Sequence, residues 1–383
     1  MNAFRRYSRT SCGSETGIKL LSELSNWLGS GRLIPVNDIA VDLGTANTLI
    51  YVKGEGIVLN EPSVVAVERG SRRILGIGLE AKRMLGRTPE GIEAIRPLKD
   101  GVIADVDVTE MMLRHFLKQV TSKRIFRIKP TVVVGVPSGI TELERRAVRS
   151  SAMSAGSKNV FMVDEPMAAA IGVGLPVETP TGNMVIDIGG GTTDYVLYVD
   201  GAILASGCIP VGGDHVTNDI HLVTHLPLSK AEQVKKTEGD ASGDPTKSEG
   251  VVTVADEGGF PDVELKRQII NDVIRMRFQE TLELVRERLP DDGLVRVGKG
   301  VFLTGGSSQM VGLGELAQDV FGLPVYKPES PDVSGVHAYI KDPQYFTALG
   351  LIRYAQILEE ERPNSSAWGK VSGFLRSLWP FGG

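Results

Sequence analysis

Two stretches decide the fold: DIAVDLGTANTLIYVKG at residues 38–54 and NMVIDIGGGTTDYVLYVDG at residues 183–201. Each is an apolar run ending in an aspartate, Asp42 or Asp187. A turn of small residues, a second apolar run and a glycine turn follow. Short apolar runs bounded by such turns predict strands. The copies begin 145 residues apart, so the chain is expected to hold two pseudo-equivalent halves facing each other across a cleft.

The turn after each first strand suits a nucleotide phosphate. Glycine lets the backbone come close where a Cβ would hold the phosphate away. Successive N–H groups can then donate to phosphate oxygens, with Thr and Asn side chains adding donors. Asp42 and Asp187 at the strand ends are placed to hold Mg2+ through its waters, since that ion keeps much of its hydration shell. A single Asp-x-Gly is ordinary turn chemistry. Two copies at matching strand ends, one reading DIGGGTTD, are far more specific.

Other pieces extend the pattern. LTGGSS (303–308) is a strand running into a Gly-Gly turn, read either as a strand-to-helix turn or as the surface on which an adenine lies. Lys235, within SKAEQVKK, is either a solvated lysine or a group reaching the ribose or base from the other half. VDEPMAAAIG (163–172) sets Glu165 before Pro166, a residue common in a helix's first turn. A carboxylate there could orient or deprotonate the water that attacks a γ-phosphate. Asp164 could equally cap that helix, and Glu165 could merely complement its N-terminus.

The balance of 42 basic against 47 acidic residues argues against a surface built to grip nucleic acid. Apolar residues at 42% and charged ones at 23% allow a sizeable core. Cys12 and Cys208 make no disulfide framework, which fits a reducing cytoplasm. No apolar run reaches the ~18 residues of a spanning helix, and no signal-peptide core follows the basic N-terminus. A GxxxxGK[ST] phosphate loop is missing. Gly76-x-Gly78-x-x-Ala81 follows no long apolar strand, HLVTH lacks the glutamate of a zinc protease, and Cys208 has no triad context.

Strands are expected over 38–43, 48–53, 131–136, 184–188, 195–199 and 300–304. Helices are expected over 109–121, 141–156, 164–173, 263–289 and 344–359, with a long loop or small hairpin at 236–262. That alternation makes the fold α/β. All three tryptophans, Trp27, Trp368 and Trp379, lie near the ends. Residues 17–29 and 365–381 each line up apolar and aromatic side chains at helical spacing, suited either to a bilayer interface or to docking on the body or a neighbouring subunit.

With these residues in view, the chain resembles the actin-like ATPase superfamily. Its first half is similar to the MreB-type bacterial actins, carried by VDLGTANTLIYVKGEGIVLNEPSVVAV, MLGRTPEGIEAIRPLKDGVIADVDVTEMML and DEPMAAAIGVGLPV, nearly without gaps from Ile39 to Thr193. The second half is closer to FtsA, the actin-like division adaptor, in IPVGGDHVTNDI, SKAEQVKK and FLTGGSSQMVGLGELAQDVFGLPV, and so is the C-terminal tail.

The resemblance implies a duplicated actin-like (ribonuclease H-like) fold with ATP and Mg2+ between two lobes. It places an N-terminal amphipathic segment at 1–36 and a first lobe at 37–180, with an insert near 62–109 and completion by 344–361. The second lobe spans 181–343 with an insert near 212–299, and a linker and amphipathic helix fill 362–383. Thr45, Ala46 and Asn47 would contact phosphates, as would Gly189, Gly190 and Gly191. Glu232, Gln233, Val234 and Lys235 would line the ribose and adenine side, and Gly305, Gly306, Ser307 and Ser308 the adenosine pocket. Glu165 and Thr192 would position the hydrolytic water. Thr237, where Glu is usual, departs from the pattern.

The function so implied is a slow filament-coupled ATPase, homopolymeric and held at the inner face of the cytoplasmic membrane by its terminal helices. It would guide wall-synthesis proteins and so set cell shape. The alternative is an FtsA-like adaptor of division proteins. A sugar or acetate kinase would need a further catalytic base, and a heat-shock-type ATPase a substrate domain after the body.

Overall fold

The computed structural model describes residues 38–360 apart from 53–54, 85–90, 100–101, 123–129, 139, 176–181, 201, 256–261 and 329–341. The expected membrane segments at 1–36 and 362–383 lie outside the described residues.

In the first half, β1 (Asp38–Leu43), β2 (Asn47–Val52) and β3 (Gly56–Pro62) form an antiparallel meander. A small three-stranded sheet follows, made of β4 (Val65–Glu68), β5 (Ile74–Ile77) and β6 (Ile92–Ile95), with helix α1 (Leu79–Met84) packed on it. The short pair β7 (Leu98–Lys99) and β8 (Val102–Ile103) leads into α2 (Val106–Ser122). The chain then alternates β9 (Thr131–Val136), α3 (Glu142–Ser154), β10 (Asn159–Asp164) and α4 (Glu165–Val173). β9 joins β1 in parallel and β10 joins β9, giving the order β10-β9-β1-β2-β3. Helix α3 starts cleanly because Thr141 and Glu144 form a reciprocal capping box.

The second half repeats this plan. Strands β11 (Asn183–Ile188), β12 (Thr193–Val199) and β13 (Ala202–Ile209) make the meander. Its insert contains α5 (Gly213–Thr224), α6 (Leu228–Glu238), the hairpin β14 (Val251–Val254) and β15 (Val263–Lys266), and the long helix α7 (Arg267–Glu287). Then β16 (Val301–Thr304), α8 (Leu313–Phe321) and β17 (Val325–Tyr326) complete a sheet of order β13-β12-β11-β16-β17. Both sheets are therefore an antiparallel meander with two parallel strands added on the same side, and the duplication seen in the sequence is a duplication of topology.

The helix expected over 263–289 begins instead at Arg267. Val263-Glu264-Leu265-Lys266 alternates with period two and pairs with β14. Residues 236–262 accordingly hold the end of α6 and one arm of that hairpin.

Between the two sheets lies a layer formed by α4 and the last helix, α9 (Phe346–Glu360). It buries Ala40, Tyr51 and Val133 of the first sheet together with Val185, Val196 and Tyr198 of the second. The two helices touch backbone to backbone. A Cβ on Gly172 would lie 1.8 Å from the Phe346 carbonyl oxygen, and one on Gly350 1.8 Å from that of Ala168. The run Ala168-Ala169-Ala170 is buried throughout, so its small side chains allow α4 to be covered on several sides.

Arg353 is fully buried, and its Nη1 donates to the carbonyls of Ile171 and Gly172 at 2.8 and 3.0 Å, the C-terminal end of α4. A cation there complements the helix dipole, while burial lowers its pKa to about 10. No helix among the described residues is long and apolar enough to cross a membrane.

Candidate functional site

The equivalent turns of the two halves, 44–46 and 189–192, meet face to face. A Cβ on Gly190 would lie 2.7 Å from Ala46 Cβ, and one on Gly191 2.6 Å from Thr45 Cγ2. Of the first-turn residues, Asn47 is exposed, Thr45 and Ala46 are half-buried, and Ser63 fixes the turn by donating to the Gly44 carbonyl at 2.6 Å. The second turn is closed by Gly189 N–H on the Thr192 carbonyl at 2.9 Å.

Below the turns sits a group of carboxyls, Asp194 buried and Asp42, Glu165 and Asp187 half-buried. Burial raises Asp42 to about 7, with Asp187 adding repulsion. It raises Asp187 to about 6, against a hydrogen bond from Thr347. Glu165, at the first position of α4, is raised well above its ordinary value by burial and then by Asp194, Asp42, Asp187 and Asp164. Asp194 faces Asp187 directly across the β11–β12 pair, is raised to about 7 by burial, and accepts from the Thr192 hydroxyl at 3.3 Å. In the first half the matching partner of Asp42 is Leu49, so the acid pair belongs to one half only.

These residues suit a hard divalent cation. Glu165 Oε1 and Asp194 Oδ1 are buried without a hydrogen-bond partner, and the cluster holds more carboxyl groups than can stay charged without a counter-ion. Among the described residues no group of three His, Cys, Asp or Glu is set to ligate a metal ion directly.

The pKa shifts fix the sign of a pH effect. In the folded, cation-free chain these carboxyls keep protons that an unfolded chain gives up above about pH 4. Their contribution to stability therefore falls as pH rises from about 4 to about 7. In EDTA, Asp42→Asn is expected to melt a few degrees higher than the parent at pH 8, with the gap shrinking towards pH 5. A thermal-shift series with parallel curves would show that Asp42 is not held in a low-dielectric cluster.

The second-lobe candidates converge on the start of α5. Ser307 donates its hydroxyl to the Gly189 carbonyl at 3.1 Å, and Gly213 N–H does so at 3.0 Å. Lys235 is buried, its Nζ donating to Gly213 O at 2.9 Å and Thr217 Oγ1 at 2.8 Å and pairing with Glu232 at 2.6 Å. It thus fastens α6 to the start of α5. Val234 packs in the core of the second lobe and Gln233 is exposed. Gly305 takes φ +86°, and a Cβ there would lie 2.2 Å from Asp187 Oδ1. Ser308 ties its hydroxyl back to Gly305 O at 2.7 Å. A Cβ on Gly306 would make only ordinary contact, 3.7 Å from Gln344 Cβ. Asp164 sits at the N-cap of α4 but makes no capping bond; its carboxylate lies 3.7 Å from Arg145.

Sequence reading missed Asp194, Thr347 and the run Gly212-Gly213-Asp214-His215. The seven-residue offset from Asp187 to Asp194 across a tight hairpin was a usable signal for the first. For the last, the signal was the GGD following an apolar strand.

A duplicated two-lobed fold with paired phosphate-type turns and an acidic cleft defines the actin-like class. The MreB/Mbl protein family model matches residues 36–347, so the chain belongs to the MreB/Mbl family, and that match runs through the half that looked closer to FtsA. The chain is 43% identical over 321 residues to the cell shape-determining protein MreB of Escherichia coli K12, covering 77% of this chain and 90% of that one. MreB5 of Spiroplasma citri, solved bound to ADP, superposes with a TM-score of 0.71 at 28% identity over 86% of this chain and 99% of that one. A MamK double helical filament shares the fold at a TM-score of 0.62 and 19% identity, over 83% and 99% of the two chains. The chain is an actin-like protein of the cytoskeletal, cell-shape type, and none of these likenesses favours the FtsA-like alternative.

Proposed function

We propose that this chain binds ATP with Mg2+ in the cleft, polymerises into filaments, and hydrolyses the nucleotide slowly within them. The observation that carries the reading is the meeting of the 44–46 and 189–192 turns over a cluster of four largely desolvated carboxyls. The solved relative MreB5 held ADP, and MamK was seen as a filament, which supports nucleotide binding and self-association here.

In this reading Thr45, Ala46 and Asn47 and the glycines 189–191 present donors to the phosphates, and Gly305 to Ser308 offer a flat surface to the adenine. Glu232 and Lys235 support the ribose side by anchoring α6 under α5. Asp42 and Asp187 would hold the cation through its waters, and a bound Mg2+ would offset charge on the phosphates. Glu165 and Thr192 orient the attacking water, with Thr192 itself oriented by Asp194. Closure of the lobes on the nucleotide favours stacking of subunits, and hydrolysis reopens the cleft.

The terminal segments 17–29 and 365–381 hold the filament to the inner face of the cytoplasmic membrane. One short amphipathic helix binds weakly, but many along a polymer act together. A filament so placed guides cell-wall synthesis proteins. Co-sedimentation with anionic liposomes, with and without Mg-ATP and imaged by electron microscopy, tests this beside a chain ending at Glu361. Filaments on lipid that stay filaments but hold the lipid more weakly on truncation are expected. Lipid binding with no filaments would move the chain to an adaptor role, and the absence of both lipid binding and filaments would overturn the proposal.

A further inference from the structure

Arg96 reaches across the cleft from the first insert to the second lobe. Its Nη1 donates to Asp214 Oδ2 at 3.2 Å, between residues 118 apart in the chain. Each partner stands on a fixed piece of backbone. Next to Arg96, the Pro97 carbonyl accepts from the N–H of Ala104 at 2.9 Å and of Asp105 at 3.2 Å, which pins this stretch to the start of α2. Asp214 N–H donates to the Gly190 carbonyl at 2.7 Å, beside the Gly213-to-Gly189 bond, so Asp214 moves with the second phosphate turn.

The three parts meet at one point. A Cβ on Gly190 would lie 2.7 Å from Ala46 Cβ of the facing turn and 3.3 Å from Asp214 Oδ1. Asp214 therefore sets a carboxylate beside the glycines that are to receive phosphate. Unneutralised, that charge would repel a triphosphate more than a diphosphate, because the triphosphate brings more negative charge.

We propose that Arg96 is a positioning residue for the second phosphate turn. Acting through Asp214, it holds the two turns together across the cleft and neutralises the carboxylate next to the nucleotide's terminal phosphate. This rests on the reading of the cleft as an ATP site. The residue belongs to neither sequence stretch that reveals the turns, so the first insert becomes part of the nucleotide response rather than only a surface for neighbours.

The test is the affinity and release rate of fluorescent ATP and ADP for the full chain and for Arg96→Ala, Arg96→Lys, Asp214→Asn and the Arg96→Ala/Asp214→Asn double variant. Side chains 40% and 44% exposed support a modest coupling. Arg96→Ala is expected to weaken triphosphate binding about two- to fivefold, and diphosphate binding less. Arg96→Lys should recover most of that loss. So should adding Asp214→Asn to Arg96→Ala, since no bare carboxylate then remains. Equal losses for both nucleotides, no loss, or no recovery in the double variant would overturn the proposal while leaving the ATP site standing. A parent chain that binds neither nucleotide would overturn both.

Discussion

Gly350→Ala is expected to lower the melting temperature by about 4–6 °C, the effect of a loss near 3–5 kcal/mol in a chain of this size. The sign follows from two opposed terms. Alanine in place of a helical glycine ordinarily gains up to about 1 kcal/mol. Here its Cβ would stand 1.8 Å from the Ala168 carbonyl oxygen and 2.9 Å from Gly172 N, all backbone atoms that no rotamer change can move. The helices must part by more than an ångström, and the packed layer of Leu349, Leu351, Ile352 and the Ala168–Ala170 run opens with them. Gly172→Ala should do the same, against Phe346. Gly314→Ala is the control, since its Cβ meets nothing within 4 Å, and should leave stability unchanged or slightly raised. Equal melting of Gly350→Ala and the parent by calorimetry would mean that α4 and α9 do not cross this closely.

Glu165→Gln is expected to cut ATP turnover by about a hundredfold or more, the usual worth of a positioned general base, with nucleotide affinity kept. Glu165 heads α4, its Oε1 is buried without a partner, and Pro166 fixes the backbone beside it in the first turn. Glutamine keeps size and hydrogen bonding but cannot take a proton. Phosphate release and nucleotide affinity measured side by side decide the matter. Unchanged turnover would remove Glu165 from the chemistry, and lost affinity would make it a binding group instead. Filaments of the variant should outlast those of the parent.

What could be seen in the sequence was local. Asp42, Asp187 and their turns announce themselves because strand, acid and small-residue turn are contiguous, and the same holds for Glu165 before Pro166. The helix at 263–289 was overextended because four residues of alternating pattern look like one more helical turn until a distant strand, Val251–Val254, pairs with them. Residues brought together by topology were hidden. Thr347 donates to Asp187 across 160 positions, and Arg96 meets Asp214 across 118. Arg353 would be placed at the surface by any composition rule, and only the open end of α4 explains its burial. Lys235 was found as a candidate, but its ammonium is spent on Gly213 and Glu232, a role that no helical spacing announces.

Helix α4 has a mechanical consequence. It is a nine-residue rod with Glu165 at one end and the Gly172 crossing, held by Arg353, at the other. A helix this short does not bend, so any displacement at its acidic tip must emerge as a tilt at the glycine fulcrum. Were the cleft to hold nucleotide as proposed, an event at the phosphate and the angle between the lobes would be two readings of one lever, and subunits stacked end to end would feel chemistry in their neighbours as a change of pitch.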